Sequence, residues 1–368
     1  MTAKKRKQNR LRVGFTTGTA AAAAAKAAAM MLFGGDGPGT VEIQMLNGDI
    51  WPIEIRECSC TADGAECTVV KDAGDDPDVT HGAIIGARVK HLPSAEGIII
   101  TGGEGVGRVT KPGLEVQPGK PAINPGPCRM IRAAVREAAA AAGESENLQV
   151  EVFVPDGEAL ARHTLNARLG IVGGISVLGT TGIVRPLSHE AYTATIQSAF
   201  SVARACGTKT VVCTTGRRSE RYAQHLFSEL PAEAFIQIGD YFAESMKQAG
   251  ECGFAHVILA VFFGKALKMA EGVPHTHAGK SRLSFERLGD WMQAAGAQKA
   301  LAEGILTMNT AREAFFKLKR LYPGVFIEVA RRMVQSAEGF AGRRIHARAV
   351  IFDYSGGVAA DTALKGGQ

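Results

Sequence analysis

The sequence predicts an α/β protein in which an α+β amino-terminal domain is followed by a Rossmann-like domain built on a parallel sheet. In the second part of the chain, apolar strands at 210–214, 235–238 and 256–263 alternate with helical segments through short loops. Such alternation is typical of doubly wound parallel sheets. The first part differs, because its short strands alternate apolar and polar residues around a strong hairpin signal, Asn-Gly at 47–48.

The amino-terminal part opens with a threonine-rich turn and a helix of almost pure alanine. Thr16, Thr17 and Thr19 are candidate caps for this helix, which continues through Ala20–Ala29. Alanine favours helix but buries little area, so such a helix suits a place where another backbone or a ligand approaches closely. Further strands are predicted at 41–45, 53–55, 67–70, 98–100 and 150–154, and a further helix at 130–142.

A length of 368 residues exceeds one ordinary domain and suits two. Regular strand–helix alternation begins near residue 201, which predicts one domain over 1–200 and another over 201–368. Helices with no intervening strand are predicted over 283–335, and the final strand over 345–352.

The composition argues against several classes of protein. Of the basic residues that give a net charge of +6, six cluster in the first twelve positions, where a short basic tail is usually a solvated terminus. No basic stripe is interleaved with aromatic residues, so nucleic-acid binding is not supported. The apolar runs are too short to span a membrane. The seven cysteines are irregularly spaced without a CxxC pair, which argues against zinc and fits reduced thiols. We therefore expect a soluble, cytoplasmic protein without a bound metal, and the sequence leaves a homo-oligomer open.

Three predicted strands of the second domain end in polar or glycine-containing turns. These ends are Thr214–Arg217, Gly239–Asp240 and Gly264–Lys265. Ligands of open parallel sheets bind at the carboxyl ends of the strands, and an acidic residue after the second strand can bind a ribose hydroxyl. The pattern favours a nucleoside-bearing cofactor, although ordinary strand-to-helix turns would look the same without a full GxGxxG. The candidate cofactor contacts are Thr215, Gly216, Arg217, Asp240, Gly264 and Lys265.

Two further motifs carry polar groups that suit catalysis or ligand binding. The loop 102–108 spaces Gly103, Gly105 and Gly107 as GxGxG, which suits an anion-cradling loop with Glu104 and Arg108 as polar contacts, or a plain glycine hairpin. The segment 273–277 holds two histidines, suited to acid–base chemistry or to metal binding, or simply facing solvent. No nucleophile elbow, Walker loop or HExxH motif occurs, so hydrolase and kinase functions have little support.

Several segments together resemble the cobalt-precorrin-5B C(1)-methyltransferases of anaerobic cobalamin biosynthesis. They run in the order of that family and cover most of the chain, and the stretch 154–188 is long enough to make chance similarity implausible. The matching segments are GFTTGT (14–19), TGGEGVGRVTKPGL (101–114), PAINPGPCRMI (121–131), VPDGEALARHTLNARLGIVGGISVLGTTGIVRPLS (154–188), FIQIGDYFAESMKQAG (235–250) and GKALKMAEGVPHTH (264–277).

The resemblance implies S-adenosylmethionine as methyl donor and a cobalt-containing, polycarboxylate tetrapyrrole as acceptor. Arginine and lysine in the matching segments suit the acceptor's carboxylates, and they include Lys111 and Arg168. The candidate substrate contacts are Thr16, Thr17, Gly18, Gly103, Gly105, Arg108, Asn124, Arg129, Asn166, Thr180, Thr181 and Arg185. The chain departs from the family twice, with Ala20 where a cysteine is usual and Cys128 where a basic residue is usual.

Methyl transfer from a sulfonium to a ring carbon mainly requires alignment in a dry pocket. We expect the second domain to bind the donor and the first to hold the macrocycle, in a cleft between them. His275, His277 or Glu104 is a candidate acceptor for the proton released. Two alternatives stay open: an NADPH-dependent tetrapyrrole reductase, and a corrinoid-binding protein without catalytic activity.

Overall fold

The computed structural model describes residues 11–93, 97–277 and 285–363. It divides into two units, residues 1–189 (unit 1) and 190–368 (unit 2). Most of the basic amino-terminal cluster lies outside the described residues. The division falls earlier than the sequence predicts, because a helix over His189–Ala205 carries the chain into unit 2 and the predicted boundary lies inside it.

Unit 1 is built on a five-stranded sheet with helices packed against it. Its strands are β1 (Gly14–Phe15), β2 (Thr40–Gln44), β3 (Ile50–Glu54), β4 (Glu57–Cys60), β5 (Gly64–Val70), β6 (Ile84–His91), β7 (Ile98–Gly102), β8 (Arg108–Val109), β9 (Leu148–Phe153), β10 (Ile171–Val172) and β11 (Ile183–Val184), and its helices are α1 (Thr17–Leu32), α2 (Pro125–Ala142) and α3 (Gly157–Ala161). The sheet order is β4-β5-β6-β9-β7, antiparallel except between β7 and β9. The predicted hairpin at 47–48 is confirmed by the antiparallel pair β2–β3.

The alanine helix α1 lies in the core of unit 1, where Ala20–Ala25 and Ala27–Ala29 are fully buried. Of the three predicted caps, Thr16 is the amino-terminal cap, and its hydroxyl accepts a hydrogen bond from Thr19 N at 3.2 Å, whereas Thr17 and Thr19 lie inside the helix. Lys26 interrupts the alanine run and is nearly buried. Its ammonium donates to Glu42 O and pairs with Glu137, both at 2.8 Å, which ties α1 to β2 and α2. Small side chains therefore let the sheet and α2 approach the helix backbone from several sides.

The expectation that the cysteines are reduced is wrong for one pair, because Cys58 and Cys67 form a disulfide. The two residues face each other across the antiparallel pair β4–β5, with their Cα atoms 4.2 Å apart. Irregular spacing in the sequence did not reveal this partnership, since the strand register alone brings the two thiols together.

Unit 2 is built on a second five-stranded sheet. Its strands are β12 (Thr210–Thr214), β13 (Phe235–Gln237), β14 (His256–Phe262), β15 (His346–Phe352) and β16 (Val358–Asp361), and its helices are α4 (His189–Ala205), α5 (Arg217–Leu226), α6 (Phe242–Glu251), α7 (Phe263–Ala270), α8 (Phe285–Ala294), α9 (Lys299–Leu306), α10 (Ala311–Leu321) and α11 (Val325–Phe340). The order is β13-β12-β14-β15-β16, with only β16 antiparallel. The predicted α/β character is confirmed, but β15 is not the last strand, because β16 folds back beside it.

The four parallel strands follow the order 2-1-3-4, which belongs to the flavodoxin-like variant of doubly wound sheets rather than to the dinucleotide-binding order. Residues of α5 pack on one face of the sheet, whereas α4, α6, α7 and α11 pack on the other. Both faces are covered, which explains why β14 reads as a continuous apolar run. The strand order reverses between β12 and β14.

Candidate functional site at the carboxyl edge of the unit 2 sheet

Three parallel strands of unit 2 end side by side. Ile238 N donates to Thr214 O at 2.8 Å, and Thr214 is also in register with Ala260 of β14. In doubly wound sheets, ligands bind at this edge, beside the point where the strand order reverses. The residues that follow β12, β13 and β14 therefore form the candidate site, as the sequence predicts.

A hydrogen-bonded cluster joins the end of β13 to the start of α7. The ammonium of Lys265 donates to Asp240 Oδ1 and, at 3.1 Å, to the carbonyl of Thr276. The fully buried Thr276 donates its hydroxyl to Asp240 Oδ1 at 3.1 Å and its backbone N–H to Asp240 O at 2.9 Å. The structure thus brings two predicted cofactor contacts, Asp240 and Lys265, into direct contact.

Two opposing effects set the charge of this cluster. Burial acts to raise the pKa of Asp240, but the hydrogen bonds and charges of Lys265 and the bond from Thr276 outweigh it, so the pKa is lowered. Nearby, burial and the charge of Lys265 lower the pKa of Lys268, whose ammonium also donates to Thr276 O at 3.1 Å. The site therefore presents a firmly ionised carboxylate beside two ammonium groups.

Aromatic rings lie next to the cluster. Tyr192 of α4 stacks on Tyr241 with ring centroids 4.7 Å apart, and Tyr241 meets His275 edge-on at 4.8 Å. Gly239 has a φ of +55°, and a Cβ there would lie 2.5 Å from the Tyr192 hydroxyl, so a side chain at this position would be strained and glycine is favoured. His275 and His277 are 6.3 Å apart, and His277 is exposed. No sequence motif marked Tyr192, which reaches the site from helix α4.

The remaining predicted cofactor contacts lie outside the hydrogen-bonded cluster around Asp240. Thr215 and Gly216 are half-buried at the end of β12, and nothing lies within 4 Å of a Cβ built on Gly216. Arg217 is exposed at the start of α5. Gly264 packs against α10, since its Cβ would lie 3.2 Å from Ala311, so close helix packing accounts for this glycine without a ligand.

In unit 1, the start of α1 and the start of α2 meet the loop 178–182. Thr17 exchanges hydrogen bonds with the backbone of Leu178, at 2.9 and 3.2 Å, and Gly18 N donates to Leu178 O. A Cβ on Gly18 would lie 2.6 Å from Pro127 of α2. The structure therefore brings together three of the segments that the resemblance marks as substrate-binding.

Several predicted substrate contacts use their polar atoms in hydrogen bonds within unit 1. Thr16 caps α1, Thr17 holds Leu178, and the buried Asn166 donates to Gly174 O at 3.3 Å. Asn124, at the start of α2, donates to Glu115 at 3.0 Å. The candidates with exposed side chains are Arg108, Arg129, Thr180, Thr181 and Arg185.

The glycine loop 102–108 is explained by close packing of protein backbone rather than by an anion. Gly105 has a φ of +67°, and a Cβ there would lie 1.8 Å from Val154 O. The α-carbons of Gly157 and Gly174 also lie against Gly105, since a Cβ on either would lie about 2 Å from Gly105 O. Gly103 packs on Glu151, and Glu104 is exposed.

Comparison with known proteins identifies the family. The CbiD family model matches residues 4–186, and the model of the CbiD C-terminal domain matches residues 275–363. The cobalt-precorrin-5B C(1)-methyltransferase of Nitratidesulfovibrio vulgaris is 43% identical over 94% of this chain and 91% of its own length. The chain belongs to the cobalt-precorrin-5B C(1)-methyltransferase (CbiD) family. Proteins of the same name from Pelobacter propionicus (42%, covering 96% of each chain) and Geobacillus kaustophilus (46%, covering 82% of this chain and 81% of that one) are also similar.

A solved structure of a CbiD protein, described as a cobalamin biosynthesis protein from Archaeoglobus fulgidus, is 30% identical to this chain. The match covers 70% of this chain and 79% of the other, with a TM-score of 0.40.

The two departures from the usual CbiD sequence fall in structured places. Ala20 is fully buried in the first turn of α1, and its N–H donates to Thr16 O at 3.0 Å. Cys128 is half-buried in α2, where burial raises the pKa of its thiol against the opposing charges of Arg132 and Arg129. Two arginines therefore act on the thiol at the position where the resemblance predicts a basic residue.

Within the described parts of the chain, no three His, Cys, Asp or Glu side chains gather as metal ligands would. In the same residues, no helix has the length and apolar character needed to cross a membrane.

Proposed function

We propose that this CbiD-family protein transfers a methyl group from S-adenosylmethionine to ring carbon 1 of cobalt-precorrin-5B, in anaerobic cobalamin biosynthesis. The observation that carries the proposal is 43% identity to a methyltransferase of that name over 94% of this chain. The same comparisons favour methyl transfer over the two alternatives, an NADPH-dependent reductase and a corrinoid carrier without activity.

Unit 2 is the proposed binding site for the donor. The hydrogen bonds described for the Asp240 carboxylate from Lys265 and Thr276 fall on Oδ1, so Oδ2 can accept from a ribose hydroxyl. Thr215 and Gly216 lie at the same sheet edge, and Gly216 leaves space around its α-carbon for the close approach of a ligand. The stacked tyrosine rings offer faces that attract a cation such as a sulfonium.

Unit 1 is the proposed binding site for the macrocycle. The substrate carries many carboxylates, and guanidinium groups bind carboxylates through paired hydrogen bonds. Arg108, Arg129 and Arg185 are exposed in segments shared with the family, and Thr180 and Thr181 are exposed in the loop beside the starts of α1 and α2. We propose these five residues as substrate contacts. Lys111 and Arg168 lie in the same segments and are further candidates.

S-adenosylmethionine supplies a methyl group already activated by its sulfonium charge. The protein's contribution is then to hold the acceptor carbon in line and to exclude water, and orientation alone can lower a barrier by about 7–11 kcal/mol in favourable cases. Remote contacts to the carboxylates of the macrocycle would supply binding energy for that alignment. A proton leaves the product ring, and we propose His277 as its acceptor ahead of His275 and Glu104, because His277 is exposed beside Asp240.

The decisive experiment is anaerobic incubation of the purified full chain with cobalt-precorrin-5B and S-adenosylmethionine labelled in its methyl group. We expect one labelled methyl in the corrinoid, detected by mass spectrometry, and an equal amount of S-adenosylhomocysteine. Absence of label in the corrinoid, with intact protein and substrate, would overturn the proposed reaction.

The role of His277 is tested separately. We expect His277→Ala to slow turnover by about 10²–10⁴-fold in that assay, as is typical when a general base is removed, with little change in donor affinity. Because His277 is exposed, the fold should be unaffected, and a thermal melt serves as the control. Unchanged turnover in the variant would exclude His277 as the proton acceptor.

A further inference from the structure

A cluster of aromatic rings flanked by two arginines lies at the same edge of the unit 2 sheet, where β14 and β15 end. Phe262 and Tyr354 stack with centroids 5.7 Å apart and planes 11° apart. Phe316 of α10 lies 5.7 Å from Tyr354, and 52% of its surface is exposed. None of the sequence motifs marked this surface, because its residues come from distant parts of the chain.

Two guanidinium groups flank these rings. Arg312 lies over the Tyr354 ring at 5.2 Å, and Arg218, at the start of α5, lies over Phe262 at 4.9 Å. Arg218 also donates to the carbonyl of Tyr354. Both arginines are exposed, and both act to lower the pKa of the Tyr354 hydroxyl, against a larger effect of burial. Two positive charges therefore converge on one half-buried ring.

The loop that carries Tyr354 is held firmly in place. Oδ1 of Asp353 accepts hydrogen bonds from Ser355 N, Ser355 Oγ and Gly357 N at 2.8 to 3.0 Å, while Lys319 pairs with Oδ2 at 3.0 Å. Burial acts to raise the pKa of Asp353, but these partners outweigh it and lower the pKa to about 2. The cluster is thus a preformed surface, which costs little conformational entropy when a ligand binds.

We propose that Arg218 and Arg312, with Phe316 and Tyr354, form a subsite of unit 2 that anchors a peripheral carboxylate of the tetrapyrrole substrate. This inference rests on the proposed function. The half-exposed ring of Phe316 beside two guanidinium groups suits a ring system that bears carboxylates. The methyl donor fits less well, because its single carboxylate accompanies two positive groups, whereas the acceptor offers several carboxylates to the two arginines.

The test measures binding of cobyrinic acid, a cobalt corrinoid with free carboxylate side chains, and of its fully methyl-esterified form, to the full-length protein by absorbance titration. We expect Arg312→Gln to weaken binding of the acid by about tenfold or more, since one charge-assisted contact is lost. Affinity for the ester should not change. Arg312→Lys should retain part of the affinity, and the effect should shrink as salt concentration rises.

Arg320→Gln is the matched control, because it removes the same charge from the same helix, α10, about two turns away. It should leave both affinities unchanged. Equal binding of the acid by wild type and Arg312→Gln would overturn the proposal, and so would a loss confined to S-adenosylmethionine affinity, measured by calorimetry. Failure of the proposed function is distinct, because wild type would then show no methyl transfer at all.

Discussion

Asp240→Asn is expected to weaken S-adenosylmethionine binding by about tenfold to a hundredfold, the usual effect of losing a hydrogen bond to a charged acceptor. The substitution keeps the shape of the side chain but removes the charge that Lys265 and Thr276 hold in place. The proposed ribose contact would then lose its ionised acceptor. Isothermal titration calorimetry with the full chain measures the change directly, and turnover at saturating donor should change far less.

Glu251→Gln provides the control for this substitution. Glu251 is an exposed carboxylate at the end of α6, where its described ion pair is a 4.0 Å contact with Lys247 one helical turn earlier. Donor affinity should stay at the wild-type value in this variant. A donor affinity in Asp240→Asn equal to that of wild type would place the ribose elsewhere and would contradict the proposed donor site.

Lys71→Met is expected to lower the free energy of unfolding by about 1–3 kcal/mol, because it leaves the half-buried carboxylate of Asp78 without its counter-charge. Lys71 is 1% exposed, and its ammonium lies 2.6 Å from Asp78 Oδ2. The other oxygen of Asp78 accepts from the backbone and hydroxyl of Thr80 at 2.8 and 2.7 Å, so the carboxylate cannot readily turn away. Urea denaturation at neutral pH measures the loss.

The matched control is Lys90→Met, which removes an ammonium from an exposed ion pair with Asp63 at 2.8 Å. Its stability should lie within error of wild type, because solvent screens such pairs. If Lys71→Met were as stable as Lys90→Met, the buried pair would contribute nothing net to the fold.

Acid should abolish the difference between wild type and Lys71→Met. Burial acts to raise the pKa of Asp78, but the charge and hydrogen bond of Lys71 and the bonds from Thr80 outweigh it and lower the pKa. A carboxylate with a lowered folded pKa contributes stability above its unfolded pKa, about 4, and loses it as pH falls through the folded value. Denaturation curves at several acidic pH values should therefore converge.

The carboxyl edge of unit 2 was predictable because strand–helix alternation fixes where parallel strands end. Asp240 and Lys265 follow two such strands, and the structure joins them. Tyr192 and Thr276 could not be found in the same way. Tyr192 projects from a helix that precedes the sheet, and Thr276 reaches Asp240 only because the chain after α7 turns back.

The glycine loop of unit 1 shows why a ligand-binding pattern can be ambiguous. Gly105, Gly157 and Gly174 come from three separate segments, and each is small because another backbone passes against it. Close approach of a backbone requires a residue without a Cβ, and so does close approach of a phosphate. The spacing of the glycines therefore identified a point of close approach correctly. Whether a backbone or a ligand makes that approach could be answered only from the tertiary contacts.

The alanine helix α1 also constrains how this protein can change over time. Ala23 and its neighbours are already small and fully buried. A larger residue at one position could therefore not be compensated by a smaller residue at an adjacent one. Relief would have to come from β5, β6 or α2, which line the same core. A larger residue in α1 would thus require simultaneous substitutions in elements that are distant in sequence. We therefore expect the sequence of α1 to change more slowly in evolution than its alanine-rich composition suggests.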